Sequence, residues 1–309
     1  MSSSSSSSST PFLPLPLDLA PQIASLHIPP AQGPTPSSQA VELSQARHRI
    51  RLLNSWCSIP PGARVLELGC GQGTCTAVLA YAVGDAGHVD AVDPARLEYG
   101  APFTLAQAQG WISKGEVGGR ISWIRDGPIR FLGKHEGTEW DVAVMAHCIW
   151  YFRGGAGELS RVLGALRGRV GRVCVAEYAL SATGVKEAVP HVLAAIARGM
   201  LEAHRGGSSG ENIQALISPD MVREVARGEG WKVEREEVLV PEGELSDGMW
   251  EVGSVIGNGF LEEVEKIEDG RVRAVLRSAR DAVVAAVEGI GGLERVRTMD
   301  VWVATLVTQ

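Results

Sequence analysis

"RVLELGCGQGTCTAVLA", residues 64–80, sets three glycines at alternate positions between a strand pattern and a run of helix formers. Arg64 to Leu68 read as a short apolar strand and Thr74 onward as a helix, so the chain turns across Gly69, Gly71 and Gly73. Residues without a β-carbon tolerate positive φ and let a ligand lie against the backbone. The following helix points its first N–H groups into the same space. In an open parallel sheet that space is the crevice at the carboxyl ends of the strands, where the strand order reverses. The turn calls for a nucleotide-like occupant.

Outward from this corner, strands alternate with helices. "GHVDAVDP" gives a second strand ending at Asp93 and Pro94, "RISWIRDG" a third ending at Asp126 and Gly127, "EWDVAVMAH" a fourth ending at His147, and "GRVCVAEYAL" a fifth containing Glu177. "RLEYGAPFTLAQAQGWI" and "GELSRVLGALRG" read as intervening helices, and an amphipathic helix over "SQAVELSQARHRIRLLNSWCSI" precedes the first strand. Such alternation implies right-handed βαβ units and a mostly parallel, doubly wound α/β sheet. Beyond the fifth strand, "KEAVPHVLAAIARGMLEAHR" carries Val189, Val192, Ile196 and Met200 on one face, and a helical insertion is expected at about 184–217. "KVEREEVLV" and "MDVWVATLVT" supply two further strands, separated by a helix over "RVRAVLRSARDAVVAAVEG".

The 309 residues, 45% of them hydrophobic, suffice for one full-sized domain, and a formal charge of −7 offers no general attraction for nucleic acid or anionic membranes. No apolar run is long enough to span a bilayer. Residues 1–37 are low-complexity serine followed by proline-broken sequence, which reads as a disordered tail, leaving 38–309 as the folded domain. With no Lys or Arg before Arg47, targeting signals are poorly matched and the cytoplasm is the default. Five cysteines, only two of them near zinc-site spacing, read as buried reduced thiols. The sequence leaves the oligomeric state open.

The dinucleotide fingerprint G-x-G-x-x-G would need glycine or alanine where Thr74 stands, and a P-loop would need a lysine that is absent. Glu67, two positions before Gly69, repels phosphates and suits a cationic ligand. "LELGCGQG" resembles the first motif of class I S-adenosylmethionine-dependent methyltransferases, and "RHRIRLLNSW", "YGAPFTLAQAQ", "MAHCIWYF", "AEYAL", "NIQALISP", "DGMWEV" and "MDVW" extend a resemblance to fungal small-molecule methyltransferases from about Gln39 to the C-terminus.

That resemblance implies a Rossmann-like seven-stranded sheet with an antiparallel last strand and a helical lid. It implies S-adenosyl-L-methionine held by Glu67, Gly69, Cys70, Gly71, Gly73, Asp93, Pro94, Asp126, Gly127 and His147. Asp93 falls where the family binds both ribose hydroxyls, in keeping with the two acceptor oxygens of a carboxylate, and Asp126 where an acid faces the adenine amino group. His147, at the crevice edge, is the candidate catalytic base for a small-molecule acceptor walled by Trp150, Tyr151, Met200 and Trp250. Glu177 reads as a partner for His147, a substrate contact or a capped carboxylate. "AHC" lacks the aspartate of metal-dependent catechol-type enzymes, so no metal is expected, and the Asn/Asp-Pro-Pro-aromatic motif of adenine- and amide-directed enzymes is missing. Oxygen of a secondary metabolite is the expected acceptor. Three other readings stay open: a cofactor-fold scaffold without turnover, a non-methylating rearrangement catalyst, and a nicotinamide oxidoreductase.

Overall fold

The structure, a computed structural model, describes residues 11–29, 36–205 and 209–309. The strands are β1 (Arg64–Leu68), β2 (His88–Asp93), β3 (Ile121–Arg125), β4 (Trp140–Ala146), β5 (Val170–Tyr178), β6 (Trp231–Leu239) and β7 (Val301–Thr308). Up to β5 the helices are α1 (Ala20–Ala24), α2 (Pro36–Trp56), α3 (Thr74–Val83), α4 (Leu105–Ile112), α5 (Pro128–Lys134) and α6 (Gly155–Leu166). Beyond β5 they are α7 (Val189–His204), α8 (Pro219–Gly228), α9 (Asp247–Ile256), α10 (Asn258–Val264) and α11 (Gly270–Ile290).

Val65 to Leu68 of β1 are buried in succession, as a strand covered on both faces must be. The seven strands form one sheet in the order β3-β2-β1-β4-β5-β7-β6. β1 to β5 pair in parallel, and β7 runs antiparallel to both of its neighbours. The winding reverses at β1, which lies between β2 and β4 and so opens a crevice at its carboxyl end.

Alternate strand residues feed two cores. Val65, Val89, Val144 and Ala176 pack with α1, α2 and α3, whereas Leu66, Val92, Met145 and Trp302 pack with α5, α6 and α8. A third core, holding Leu201, Val252, Phe260, Leu276 and Val283, joins α7 to α9, α10 and α11.

Three expectations change. The insertion placed at about 184–217 supplies only α7 to this helical cap; the larger share comes from between β6 and β7. An amphipathic stripe reveals an apolar face and leaves its partner unnamed, so α11 read equally well as a helix packed on the sheet. The helix read over "RLEYGAPFTLAQAQGWI" begins only at Leu105, where Thr104 accepts from Gln107 N–H and the Gln107 side chain reaches back in a capping box.

The expected disordered tail is structured over residues 11–29: Leu15 N–H and C=O pair with the Asn54 amide at 2.9 and 2.8 Å, and Ala20 and Ile23 are fully buried. The serine run itself lies outside the described residues. Ile23→Ala is expected to lower stability by about 3 kcal/mol in urea denaturation, while Leu13→Ala, at a 59% exposed position, changes it little.

Candidate functional site

At the end of β1, Gly69 takes φ +79, and a β-carbon there would overlap Cys148 Cβ on the loop after β4. Gly73, at φ +95, is closed in by Trp123 at 2.6 Å and Ile112 at 2.8 Å. Gly71 differs. It also has positive φ, +51, yet nothing lies within 4 Å of its missing β-carbon, so its face is open. The turn is knitted internally: Gly69 and Cys70 N–H donate to Val92 O, Gly73 N–H to Cys70 O, and Gly71 N–H to Asp93 Oδ2 at 2.8 Å. Cys70 is buried with its backbone groups engaged, which leaves it a part in shaping the turn.

Asp93 Oδ1 accepts from Ala95 N–H at 2.8 Å. With one N–H on each oxygen, the carboxylate keeps further lone pairs for hydroxyl donors. Pro94 beside it is exposed. Glu67 lies beneath, 1% exposed, accepting from the Thr76 hydroxyl at 2.5 Å. Burial pushes its carboxyl up to about 7, against the pull of the Thr76 bond.

Asp126 reaches the same sheet edge, but its oxygens accept from Gly127 N–H, Arg130 and, at 2.8 Å, Lys134. Those bonds, Lys134 first, hold its carboxyl at about 2. They tie Asp126 and Gly127 to the start of α5, and sequence alone does not show that Arg130 and Lys134 turn back to it.

His147 follows β4 in the left-handed region, φ 53, uncommon for a residue with a side chain, with its N–H on Ala176 O at 2.8 Å. Its Nε2 lies 3.1 Å from Nε2 of His48 on α2, and its Nδ1 3.6 Å from Glu177 Oε1. Nδ1 is buried without a hydrogen-bond partner. Glu177 accepts from Ile149, Trp150 and Tyr178 N–H, so it caps the turn after β4 as well as facing His147. Tyr178 lies against His147 with ring centroids 4.5 Å apart and the planes tilted by 44°, and donates its hydroxyl to Asp247 at 3.1 Å; Gln45 donates to the other Asp247 oxygen at 2.7 Å.

The expected acceptor wall divides. Tyr151 and Trp250 are exposed, whereas Trp150 is buried with its indole N–H on Ile217 O and Met200 packs inside the helical cap. His48 and Asp247 escaped the sequence reading because nothing in the spacing of α2 or α9 ties them to the strand ends, and Tyr178, which ends β5, because its hydroxyl partner lies on α9. A polar chain also links the loop after β2 to the helical cap: Tyr99 donates to Asn212 at 3.3 Å, Asn212 to Glu251 at 3.4 Å, and Arg198 pairs with Glu251 and Glu211. Among the described residues no cluster of three or more His, Cys, Asp or Glu is arranged to hold a metal, and no helix is long and apolar enough to cross a membrane. Four of the five thiols are buried, and Cys57 is exposed.

Residues 31–98 match the family model for protein-L-isoaspartate(D-aspartate) O-methyltransferase. The chain is 28% identical over 292 residues to methyltransferase phomM' of Diaporthe leptostromiformis, covering 80% of this chain and 74% of that one, and 27% identical to methyltransferase phomM of the same organism with the same coverage. A cyclopropane-fatty-acyl-phospholipid synthase-like protein from Lactobacillus casei superposes with a TM-score of 0.79 at 26% identity over 94% of this chain and 99% of the other. The cyclopropane synthase MmaA2 from Mycobacterium tuberculosis shares the fold, with a TM-score of 0.51 at 15% identity over 94% and 95% of the two chains. The chain has the class I S-adenosylmethionine-dependent methyltransferase fold, and its sequence resembles the fungal methyltransferases.

Glu67 makes a pH-dependent contribution to stability. Its folded-state value lies above the unfolded one, so the protonated form is favoured on folding, and stability falls as pH rises from about 4.5 to about 7. Glu67→Gln is expected to remove a loss of about 3 kcal/mol across that window, read as a flatter difference between urea midpoints at pH 5 and pH 8.

Proposed function

We propose that this methyltransferase uses S-adenosyl-L-methionine to methylate a small-molecule acceptor, and that the acceptor atom is an oxygen of a secondary metabolite. The observation that carries the reading is the corner at the end of β1, where the open face of Gly71 adjoins the unfilled lone pairs of Asp93 above the buried carboxyl of Glu67. These residues fit the cofactor: Asp93 suits a vicinal diol, and Glu67, which feels Arg49 but makes no ion pair among the described residues, suits a positive ligand. When bound, the cofactor supplies a methyl group on a positively charged sulfur.

Gly69, Gly71 and Gly73 hold the turn open, Asp93 orients the ribose, and His147 stands at the adjoining strand end to take a proton from the acceptor. Tyr151 and Trp250 are the exposed aromatic surfaces left to meet a flat acceptor. Orientation supplies on the order of 7 to 11 kcal/mol in such displacements, and a general base roughly 10² to 10⁴ in rate. The match of residues 31–98 to a family described as an O-methyltransferase supports an oxygen acceptor. Likeness to a protein named cyclopropane-fatty-acyl-phospholipid synthase-like favours a second reading, transfer to an alkene carbon.

Asp93→Ala is expected to weaken binding of S-adenosylhomocysteine in calorimetry by roughly 1.5 to 3 kcal/mol for each charge-assisted hydrogen bond lost; unchanged affinity would refute the ribose assignment. Incubation with methyl-deuterated cofactor and a metabolite extract separates the two acceptors by mass. Oxygen methylation keeps all three deuterons in the product, whereas ring formation on a double bond releases one.

A further inference from the structure

We propose that Arg49, on α2, takes the carboxylate of the cofactor's amino-acid head and leaves the ammonium of that head toward Glu67. The proposal rests on the methyltransferase reading and brings to the corner at the end of β1 a cation from a helix outside the strand ends.

Helix spacing sets Arg49 on the inward face of α2. Gln45, one turn before it, donates to Asp247, and Leu52 and Leu53, one turn after it, are fully buried. Those leucines share the first core with Cys75 and Val78 of α3, so this face of α2 lies across the start of the helix that follows the glycine turn. An arginine on such a face ordinarily finds a carboxylate or a carbonyl for its N–H groups. Arg49 finds neither: among the described residues its guanidinium makes no hydrogen bond and no ion pair. The side chain is partly buried, and all three of its nitrogens stay open to solvent.

Its charge reaches the corner. At Glu67, Cys75 and Tyr178 it opposes the upward push of burial. A carboxyl and a guanidinium thus stand within electrostatic reach of each other without being joined. A ligand of single charge would match one of them and leave the other as it is. A head group with an ammonium and a carboxylate on one carbon matches both, and the amino-acid end of S-adenosyl-L-methionine is such a group. Asp93, bonded to Gly71 N–H, suits the ribose at the other end, so the molecule's two polar ends fall on opposite sides of the open glycine. The guanidinium fork can give a carboxylate two parallel N–H bonds, which a point charge cannot do.

The test is calorimetry on the full chain with two probes, S-adenosylhomocysteine and S-adenosyl-3-thiopropylamine, the same molecule without its carboxylate. The parent is expected to bind the first more tightly. Arg49→Met, which keeps the length of the side chain and removes its charge, is expected to weaken S-adenosylhomocysteine binding by about tenfold to a hundredfold and to leave the amine probe nearly unchanged. Arg49→Lys, which restores a charge without the fork, is expected to fall between them. Equal affinity of the parent for the two probes, an equal loss of both in Arg49→Met, or no loss of either overturns the proposal. If Arg49→Met fails to give a cooperative melt, the parent's preference and its change in Arg49→Lys decide. A parent that binds neither probe sinks the methyltransferase reading together with the proposal; a parent that binds both without discrimination sinks the proposal alone.

Discussion

Two loops, one leaving β1 and one leaving β4, pass so closely that a single β-carbon at Gly69 would overlap Cys148. This contact sits where the winding of the sheet reverses, and it draws together the carboxyl ends of β1 and β4. Cys148 secures its side, donating its thiol to Leu68 O at 3.1 Å from a buried position. Its neighbour His147 is thereby fixed in a left-handed conformation that directs the imidazole back toward α2 and β5. Strain of about 1 to 2 kcal/mol at such a residue persists only where surrounding bonds over-determine it; here they are the Ala176 carbonyl, the His48 ring and the Tyr178 face.

Three carboxylates at one sheet edge are treated in three ways. Asp126 is neutralised by Arg130 and Lys134, and its charge is spent within α5. Glu177 is matched by backbone N–H groups, which satisfy a negative charge without cancelling it. Glu67 has the Thr76 hydroxyl, the Cys75 thiol and the more distant charge of Arg49, and burial outweighs them in raising the cost of ionising it. A positive ligand above Gly71 would supply the ion pair that Glu67 lacks among the described residues.

The strands were legible because burial on both faces leaves runs such as "RVLEL" and "DVAVMA" with no polar alternative, and the punctuation between them is glycine, aspartate and proline. The turn and Asp93 were legible for the same local reason, since a positive φ and an acid at a strand end are encoded within a few residues. What lay hidden were interactions across long sequence gaps: His48 with His147, Tyr178 with Asp247, and Leu15 with Asn54. A proline-broken apolar stretch reads as unstructured because no partner is visible along the chain; folded against α2 and α3, Ile23 has one.

By itself the sequence determined the order of elements, the parallel sheet and the glycine corner, because each follows from local stereochemistry and the period of apolar residues. Tertiary structure decided which carboxylates were neutralised, which aromatics stayed exposed and which ring His147 meets. Those outcomes depend on distances between segments that the chain brings together only when its layers pack, and no spacing along the chain encodes them.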